Sequence, residues 1–148
     1  MARIEGEYIP STSEWVRDQI ELYERTGGAE GSGLRGTDMK VIIVTMRGAR
    51  TGAVRKIALM RVEHNGAYAL VASKGGAPDN PAWYANLKAN PHEVTVQDGP
   101  EPFAVHVREI DGAEYDEWWE RSVKAFPQYS DYRSKTSRRI PVLLAEPA

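Results

Sequence analysis

The stretch SKGGAPDNPAWYANLKANP, residues 73–91, decides how the rest of this sequence is interpreted. An apolar run ends there in a basic glycine turn, and a helix follows at once. Glycine lets a backbone approach a ligand closely, and Asn80 followed by Pro81 is typical of an N-cap and the first helical residue. The amide groups at a helix start and the ammonium of Lys74 both favour an anion. The segment therefore predicts either an anion site or an ordinary strand-to-helix loop without a ligand.

Length and composition limit the class of protein. A chain of 148 residues fits one domain with its own core. We expect residues 1–38 to form an N-terminal helix and a flexible connector within that single domain, 1–148. The sequence has no cysteine, so disulfides and thiolate metal sites are excluded, and redox chemistry requires a cofactor. A net charge of −2 gives no general attraction to nucleic acid.

The N-terminal third predicts one helix and one misleading motif. Residues 11–26 are expected to be helical, with Ser11 and Glu14 at capping-box spacing and Gly27 as the stop. Its apolar face packs on a core, acts as a movable lid, or touches a membrane surface. GSGLRG, residues 31–36, matches the dinucleotide fingerprint, but it follows a helix and precedes a strand. We interpret it as a connector.

Alternating apolar residues and turn signals predict a small antiparallel barrel flanked by helices. The first residues lack a signal-peptide pattern and no apolar run reaches membrane-spanning length, so we expect a cytoplasmic protein. About six strands are predicted, at residues 40–45, 54–63, 67–73, 94–97, 103–110 and 140–145, with further helices at residues 81–89 and 113–126.

A hairpin is the main geometric step of the prediction. Asn65 followed by Gly66 is a strong hairpin signal between the second and third strands. That hairpin would carry Arg55 and Lys74 to the same end, so that two basic turns become neighbours. Further on, FPQYSDY at residues 126–132 is expected to break the chain at Pro127 and to cluster aromatic rings.

Charge is distributed unevenly along the chain. Residues 39–62 contain six basic side chains and no acidic one, which favours a local anion site, although chance segregation is the alternative. Three histidines, His64, His92 and His106, lack metal-ligand spacing, so no metal site is expected. The candidate site for a phosphorylated, planar ligand consists of Arg50, Thr51, Arg55, Lys56, Ser73, Lys74, Trp83 and Asn86.

Three segments carry a family resemblance: RGARTGAVRK, ASKGGAPDNPAWYANLKANP and AFPQYSDYRSKTSRRIPVLL. Together they resemble the deazaflavin-dependent nitroreductase family of actinobacterial proteins, over residues 39–147. The resemblance implies a split β-barrel, mainly β with flanking α-helices, like that of FMN-binding pyridoxine-phosphate oxidases. It also implies reduced coenzyme F420, an 8-hydroxy-5-deazaflavin with a phospholactyl oligoglutamate tail, as cofactor. The negative tail agrees with the basic turns.

The resemblance also assigns roles to residues. The family often has tyrosines where this chain has Met60 and Phe126, and a second basic residue where it has Ala49, for which Arg47 would compensate. The implied acceptor-binding residues are Met60, Phe126, Tyr129 and Tyr132, and the candidate catalytic residues are Tyr129, Tyr132 and Ser73. The implied cofactor-binding residues are Arg47, Ala49, Arg50, Thr51, Gly52, Arg55, Lys56, Ser73, Lys74, Gly75, Ala82, Trp83 and Asn86.

The predicted function is an F420-dependent oxidoreductase that passes hydride to a quinone, a nitroaromatic compound or another electron-poor acceptor. One alternative keeps the barrel and uses FMN, whose single phosphate needs fewer cations. Another is a carrier that binds the deazaflavin without catalysis. A nucleic-acid module is the weakest alternative, because the basic block lacks interleaved aromatic residues. The N-terminal helix is a candidate for peripheral contact with the inner face of the membrane.

Overall fold

The computed structural model describes residues 4–31, 33 and 40–148. None of the helices in this described part is long and apolar enough to cross a bilayer. The helices are α1 (Glu14–Thr26), α2 (Ala82–Ala89), α3 (Gly112–Ala125) and α4 (Gln128–Lys135), with a single 3-10 turn at Lys74–Gly76. The strands are β1 (Val41–Arg47), β2 (Val54–Met60), β3 (Glu63–His64), β4 (Ala67–Val71), β5 (Val94–Gln97), β6 (Pro102–Glu109) and β7 (Val142–Pro147).

All neighbouring strands of the sheet are antiparallel, in the order β2-β1-β5-β6-β7-β4-β3. Only Arg61 and Val62 separate β2 from β3, yet these two strands lie at opposite edges. The sheet must therefore curl until its edges meet, and there the Ala69 amide donates to the Val62 carbonyl over 2.9 Å. The predicted antiparallel barrel with flanking helices is confirmed. It has seven strands because the predicted second strand bends and becomes two.

The sheet is covered on both faces, and β1 shows why. Its residues alternate between two apolar clusters, with Ile42 and Val44 in one and Val41 and Ile43 in the other. Helix α2 adds Leu87 to the first cluster, whereas α1, α3 and α4 cover the second. Burying one such aliphatic side chain contributes about 1.5–3 kcal/mol, so this alternation fixes the register of the strand.

Helix α1 begins later than predicted and ends where predicted. Ser11 is not its cap: its hydroxyl oxygen accepts from the Ser13 amide over 3.1 Å, and the helix starts at Glu14. The proposed capping box is therefore wrong. Gly27 ends the helix in a left-handed conformation with φ 63°, and the Gly28 amide donates to the Tyr23 carbonyl over 2.9 Å. This is the Schellman arrangement, which satisfies carbonyl groups that a helix end would leave unpaired.

The glycine motif after α1 is only partly described. Gly31 and Gly33 are held against the helix, because the Gln19 amide nitrogen donates to both of their carbonyl oxygens, over 3.1 and 3.3 Å. Residues 32 and 34–39 of the predicted connector lie outside the described residues.

The predicted hairpin is the main error of the sequence analysis. Its turn is correct, since Asn65 and Gly66 have φ values of 53° and 84°, as a two-residue hairpin requires. However, the turn joins only β3 and β4, whereas β2 pairs along its length with β1. Arg55 and Lys74 are therefore not brought together by one pair of strands. The error arises because the sequence pattern does not reveal the bend at Arg61 and Val62.

Two helix boundaries after the sheet's first half also differ from prediction. Pro81 occupies the N-cap position of α2 instead of the first helical position, so Asn80 is not the cap. The break expected at Pro127 is present, because α3 ends at Ala125, but the residues after it form the eight-residue helix α4, which was not predicted. Pro127 has φ −56° in the helical region and starts α4 directly. The sequence analysis missed α4 because its mixed polar composition gives no helical apolar period.

A buried tyrosine fixes α1 to the sheet and allows a stability test. The Tyr23 hydroxyl donates to the Gln97 carbonyl over 3.2 Å and accepts from the Gly99 amide over 2.8 Å. We expect Tyr23→Phe to lower the free energy of unfolding in urea by about 1–3 kcal/mol, because the partly buried Gly99 amide loses its partner. Tyr8→Phe is the matched control, since that hydroxyl has no hydrogen bond within the described residues. Equal losses in both variants would contradict the proposed role of Tyr23.

Candidate functional site

Two adjoining cavities lie beside α2, and Trp83 and Val16 line both. Their volumes, about 570 and 720 Å³, are in the range of small-molecule sites. The smaller, here called the basic cavity, is also lined by Ser11, Met46, Gly48, Ala49, Arg50, Thr51, Arg55, Lys56, Ile57, Ala82, Ala85 and Asn86. The larger, here called the aromatic cavity, is also lined by Trp15, Gln19, Val41, Ala58, Leu59, Met60, Val71, Ser73, Lys74, Phe126, Tyr129 and Tyr132.

The first turn, residues 48–53, forms one wall of the basic cavity. It is closed by bonds from the Gly48 amide to the Ala53 carbonyl, 2.7 Å, and from the Gly52 amide to the Gly48 carbonyl, 3.1 Å. Gly52 has φ 73°, a conformation that glycine adopts without strain. The Thr51 hydroxyl oxygen accepts from the Ala53 amide over 3.2 Å. The turn is therefore ordered by hydrogen bonds within the chain itself.

Asn86 attaches this turn to α2. Its Oδ1 accepts from the Ala49 amide over 2.9 Å, and its Nδ2 lies 3.8 Å from the sulfur of Met46. The side chain predicted to lie near a ring therefore positions the first turn as well. Ala49 takes part through its backbone, so the missing second cation leaves this connection intact.

The six basic residues of the one-signed block do not form a single anion site. Arg47 pairs with Glu93 and donates to the Gly52 and Glu5 carbonyls over 2.8 and 2.7 Å. It does not line the basic cavity, so the structure does not support the predicted compensation for Ala49. Lys56 lines the cavity, but its ammonium donates to both carboxylate oxygens of Glu24, over 2.9 and 2.7 Å.

Arg61 is a third member of the block that pairs with an acid, Asp98, over 2.9 Å. Arg50 and Arg55 differ, because neither makes an ion pair or hydrogen bond within the described residues. Both line the basic cavity, Arg50 exposed and Arg55 half-buried. The positive charge available to a ligand is therefore concentrated at these two guanidinium groups.

The second turn, residues 72–81, joins β4 to α2 and contributes Ser73 and Lys74 to the aromatic cavity. Lys74 is exposed and has no ion pair within the described residues. Gly75 lies within the 3-10 turn that Lys74 begins. Lys74 and the arginines of the basic cavity thus lie in adjoining cavities, joined through Trp83 of α2 instead of through a hairpin.

Three hydroxyl groups were candidates for catalysis, and the structure separates them. Tyr132 is engaged at the surface, where its hydroxyl donates to Gln128 Oε1 over 3.1 Å. Tyr129 and Ser73 are 4% and 8% exposed, and neither hydroxyl has a hydrogen bond within the described residues. No fully buried side-chain oxygen in the described part lacks a partner, so these hydroxyls must be reachable from the cavity.

Burial raises the pKa of Tyr129 well above its usual value, and the neighbouring Tyr132 adds to the effect. Its ring packs against Phe126, with centroids 4.9 Å apart, and against Tyr132, at 6.3 Å. Together with Met60, these rings make an apolar wall around one hydroxyl donor. Tyr129 therefore stays protonated, and able to donate a hydrogen bond, across the neutral pH range.

The sequence analysis named no residue of α1 as part of the acceptor site, although α1 supplies part of the aromatic cavity. Trp15, 52% exposed, lines this cavity together with Val16 and Gln19. The only available signal was a large apolar side chain that did not fit the buried face of its helix. Among the described residues no group of three or more histidine and acidic side chains is placed to hold a metal ion.

Comparisons with known proteins agree with this arrangement. A family model described as F420H(2)-dependent quinone reductase matches residues 15–147. The chain is 36% identical over 126 residues to an F420H(2)-dependent quinone reductase of Mycobacterium tuberculosis, and the match covers 83% of each chain. A solved structure described as an F420-H2 dependent reductase shares 48% identity and a TM-score of 0.68, covering 72% of this chain and 93% of that chain. Another, described as a domain-swapped dimer, shares 45% identity and a TM-score of 0.71, covering 92% of this chain and 100% of that chain.

The bond between Asn86 and the first turn can be tested without a ligand. We expect Asn86→Leu to speed amide hydrogen exchange at residues 48–53 by about 5- to 10-fold, the effect of losing roughly one hydrogen bond. Asn90→Leu, at the other end of α2, is the control, because its side chain makes no hydrogen bond within the described residues. Unchanged exchange in Asn86→Leu would show that α2 does not hold the turn.

Proposed function

Because this chain belongs to the family of F420H(2)-dependent quinone reductases, we propose that it oxidises reduced coenzyme F420 in the basic cavity and reduces a quinone in the aromatic cavity. The predicted F420-dependent oxidoreductase is confirmed as to family, class of enzyme and cofactor. Nitroaromatic and other electron-poor acceptors stay predictions. So do the roles of the individual residues.

The described residues fit the cofactor. Its tail carries a series of negative charges, and Arg50 and Arg55 offer guanidinium groups that pair with no carboxylate in the part of the chain that the structure describes. Guanidinium groups bind phosphate and carboxylate oxygens in pairs, which suits such a tail. Trp83 lines both cavities, and this position supports its assignment as the residue that packs against the deazaflavin ring. Arg47 and Lys56 contribute less, because acids within the chain already engage them.

Reduced F420 supplies hydride from its C5 carbon when bound. Conversion of a quinone into a hydroquinone takes one hydride and one proton, so a proton has to reach the acceptor oxygen. The tasks of this chain are therefore to orient the two reactants, exclude water and provide a hydrogen-bond donor. No metal is required for any of these tasks.

The aromatic cavity supplies the donor. Tyr129 offers an O–H group within an apolar wall that includes Met60 and Phe126. A hydrogen bond to the acceptor carbonyl is stronger in such surroundings than in water, and Ser73 is a second donor on the side of the second turn. Tyr132 contributes its ring to the wall, since its hydroxyl is bonded to Gln128.

One observation carries the proposal: two arginines without a partner among the described residues and the unbonded hydroxyl of the buried residue Tyr129 line two cavities that meet at Trp83. The direct experiment mixes the protein anaerobically with reduced F420 and a panel of quinones and nitroaromatic compounds, followed at the deazaflavin absorbance. Acceptor-dependent oxidation by quinones is expected. Absence of any oxidation in the complete panel would refute the proposal.

Neutralising the free cations is expected to weaken cofactor binding. Arg50→Met and Arg55→Met should each raise the Kd for F420 by about 10-fold, the effect of losing one charge-assisted contact, and should reduce its salt dependence. Lys88→Met is the matched control, because that ammonium pairs with Glu109 outside both cavities. An equal loss in all three variants would argue for a general charge effect instead of these contacts.

Removing the buried hydroxyl is expected to slow turnover. Tyr129→Phe should lower kcat with a quinone by about 100-fold if the hydroxyl is the proton donor. Tyr132→Phe should lose much less, because its hydroxyl faces Gln128. Since the pKa of Tyr129 is raised, wild-type kcat should not decline through tyrosine ionisation below about pH 10. Equal kcat in Tyr129→Phe and wild type would exclude this role.

The two alternatives give different results in the same assay. An FMN-dependent oxidoreductase would be isolated yellow, with a flavin spectrum, and would be indifferent to F420. A deazaflavin carrier would bind F420 tightly without acceptor-dependent oxidation. FMN carries a single phosphate, which needs fewer cations than the tail of F420. The presence of two arginines without a partner among the described residues therefore favours F420 over FMN.

A cytoplasmic location and contact of α1 with a membrane surface also stay predictions. Trp15, 52% exposed, is the side chain of α1 best placed to enter an interface. Sedimentation with anionic vesicles would test the membrane contact. Wild type should sediment with the vesicles to a greater extent than Trp15→Ser.

A further inference from the structure

The second turn has a conformation that its own sequence does not favour. Lys74 has φ 47°, in the left-handed region that residues with a side chain rarely adopt. Two backbone hydrogen bonds are described within the turn, from the Gly76 amide to the Ser73 carbonyl over 2.9 Å and from the Ala77 amide to the Lys74 carbonyl over 3.1 Å. Strained conformations persist only where the surroundings hold them. Another group must therefore fix the turn.

Arg138, in the segment between α4 and β7, is that group. Its Nε donates to the Ala77 carbonyl over 2.8 Å, and one terminal nitrogen donates to the Ser73 carbonyl over 2.8 Å. The other donates to Asn80 Oδ1 over 2.9 Å and to the Ala72 carbonyl over 3.3 Å. One guanidinium thus joins both ends of the turn, 65 residues further along the chain than Ser73.

A lysine could not replace this arrangement. The guanidinium is planar and presents five N–H groups in a fixed fork, whereas an ammonium is a single point with three donors. Arg138 also makes no ion pair within the described residues, because its partners are carbonyl and amide oxygens. Its charge is not neutralised and adds to the positive potential around Lys74.

The opposite side of the turn is held by α4. A Cβ atom added to Gly76 would lie 2.8 Å from the Tyr132 carbonyl oxygen and 3.1 Å from the Lys135 Cβ. The turn is therefore enclosed between the helix that bears the aromatic wall and the guanidinium of Arg138. Movement of the turn would displace Ser73 and Lys74 relative to Tyr129.

We infer that Arg138 is a positioning residue, which sets Lys74 for the cofactor and Ser73 for the acceptor without touching either reactant. The inference rests on the proposed function. A purely structural arginine would change stability alone, so the test needs a measurement that separates binding from folding.

The experiment compares wild type with Arg138→Ala and Arg138→Lys. Arg138→Ala should raise the KM for reduced F420 by about 10-fold, as for one lost charge-assisted contact, with a smaller change in kcat at saturating cofactor. Free guanidinium ion should restore part of the loss in Arg138→Ala, and Arg138→Lys should resemble Arg138→Ala. Arg139→Ala is the matched control, because that guanidinium lies over the Tyr115 ring, 4.2 Å from its centroid, away from the turn.

Amide exchange without cofactor gives an independent measurement. Residues 73–77 should exchange faster in Arg138→Ala than in wild type or in Arg139→Ala. If wild type is active, and both Arg138 variants have the same KM for F420 and the same amide exchange rates as wild type, the inference is wrong. The proposed function would then be unaffected. Wild type that neither binds nor oxidises F420 would instead refute the proposed function, and with it this role of Arg138.

Discussion

The hydrogen bond between the Ala49 amide and Asn86 Oδ1 is the contact on which the candidate site depends. It ties the turn that follows β1 to α2, and α2 itself grows out of the turn that follows β4. One short helix therefore sets the spacing of two distant parts of the sheet. Trp83, one helical turn earlier, becomes the wall that both cavities share. The curled sheet sets the positions of the strands, and α2 packs beside them so that its residues line both cavities.

Electrostatics select among the basic residues in the same neighbourhood. Arg47, Lys56 and Arg61 are paired with carboxylates, and half-exposed pairs of this kind contribute little to stability. Their effect is to remove three cations from competition for a ligand. Arg50 and Arg55 make no ion pair with any carboxylate of the described residues. The position of the proposed anion site therefore depends on where the acidic residues lie as well as on where the basic residues lie.

The sequence predicted local features well and distant partnerships poorly. Alternation in β6, the Gly27 helix stop and the Asn65–Gly66 turn are short-range signals, and all were found where expected. The family resemblance supplied the barrel and the cofactor. Three other features depend on residues far apart in the chain: the bend between β2 and β3, the ion pair of Arg47 with Glu93, and the hydrogen bonds of Arg138 to the second turn. No periodicity or spacing encodes such contacts, so the predicted hairpin is wrong, and the predicted use of Arg47 has no support from its position outside the basic cavity.

Gly52 in the first turn and Gly76 in the second differ in the space available for a side chain. An added Cβ at Gly52 meets no atom within 4 Å, so only its φ of 73° opposes replacement, and asparagine tolerates that region. Gly76 has a comparable φ of 82° but meets a backbone carbonyl at 2.8 Å, which no rotamer can avoid. Libraries intended to broaden cofactor choice can therefore diversify the β1–β2 turn. The turn before α2 has to be kept as it is, unless the residues of α4 that contact it are changed at the same time.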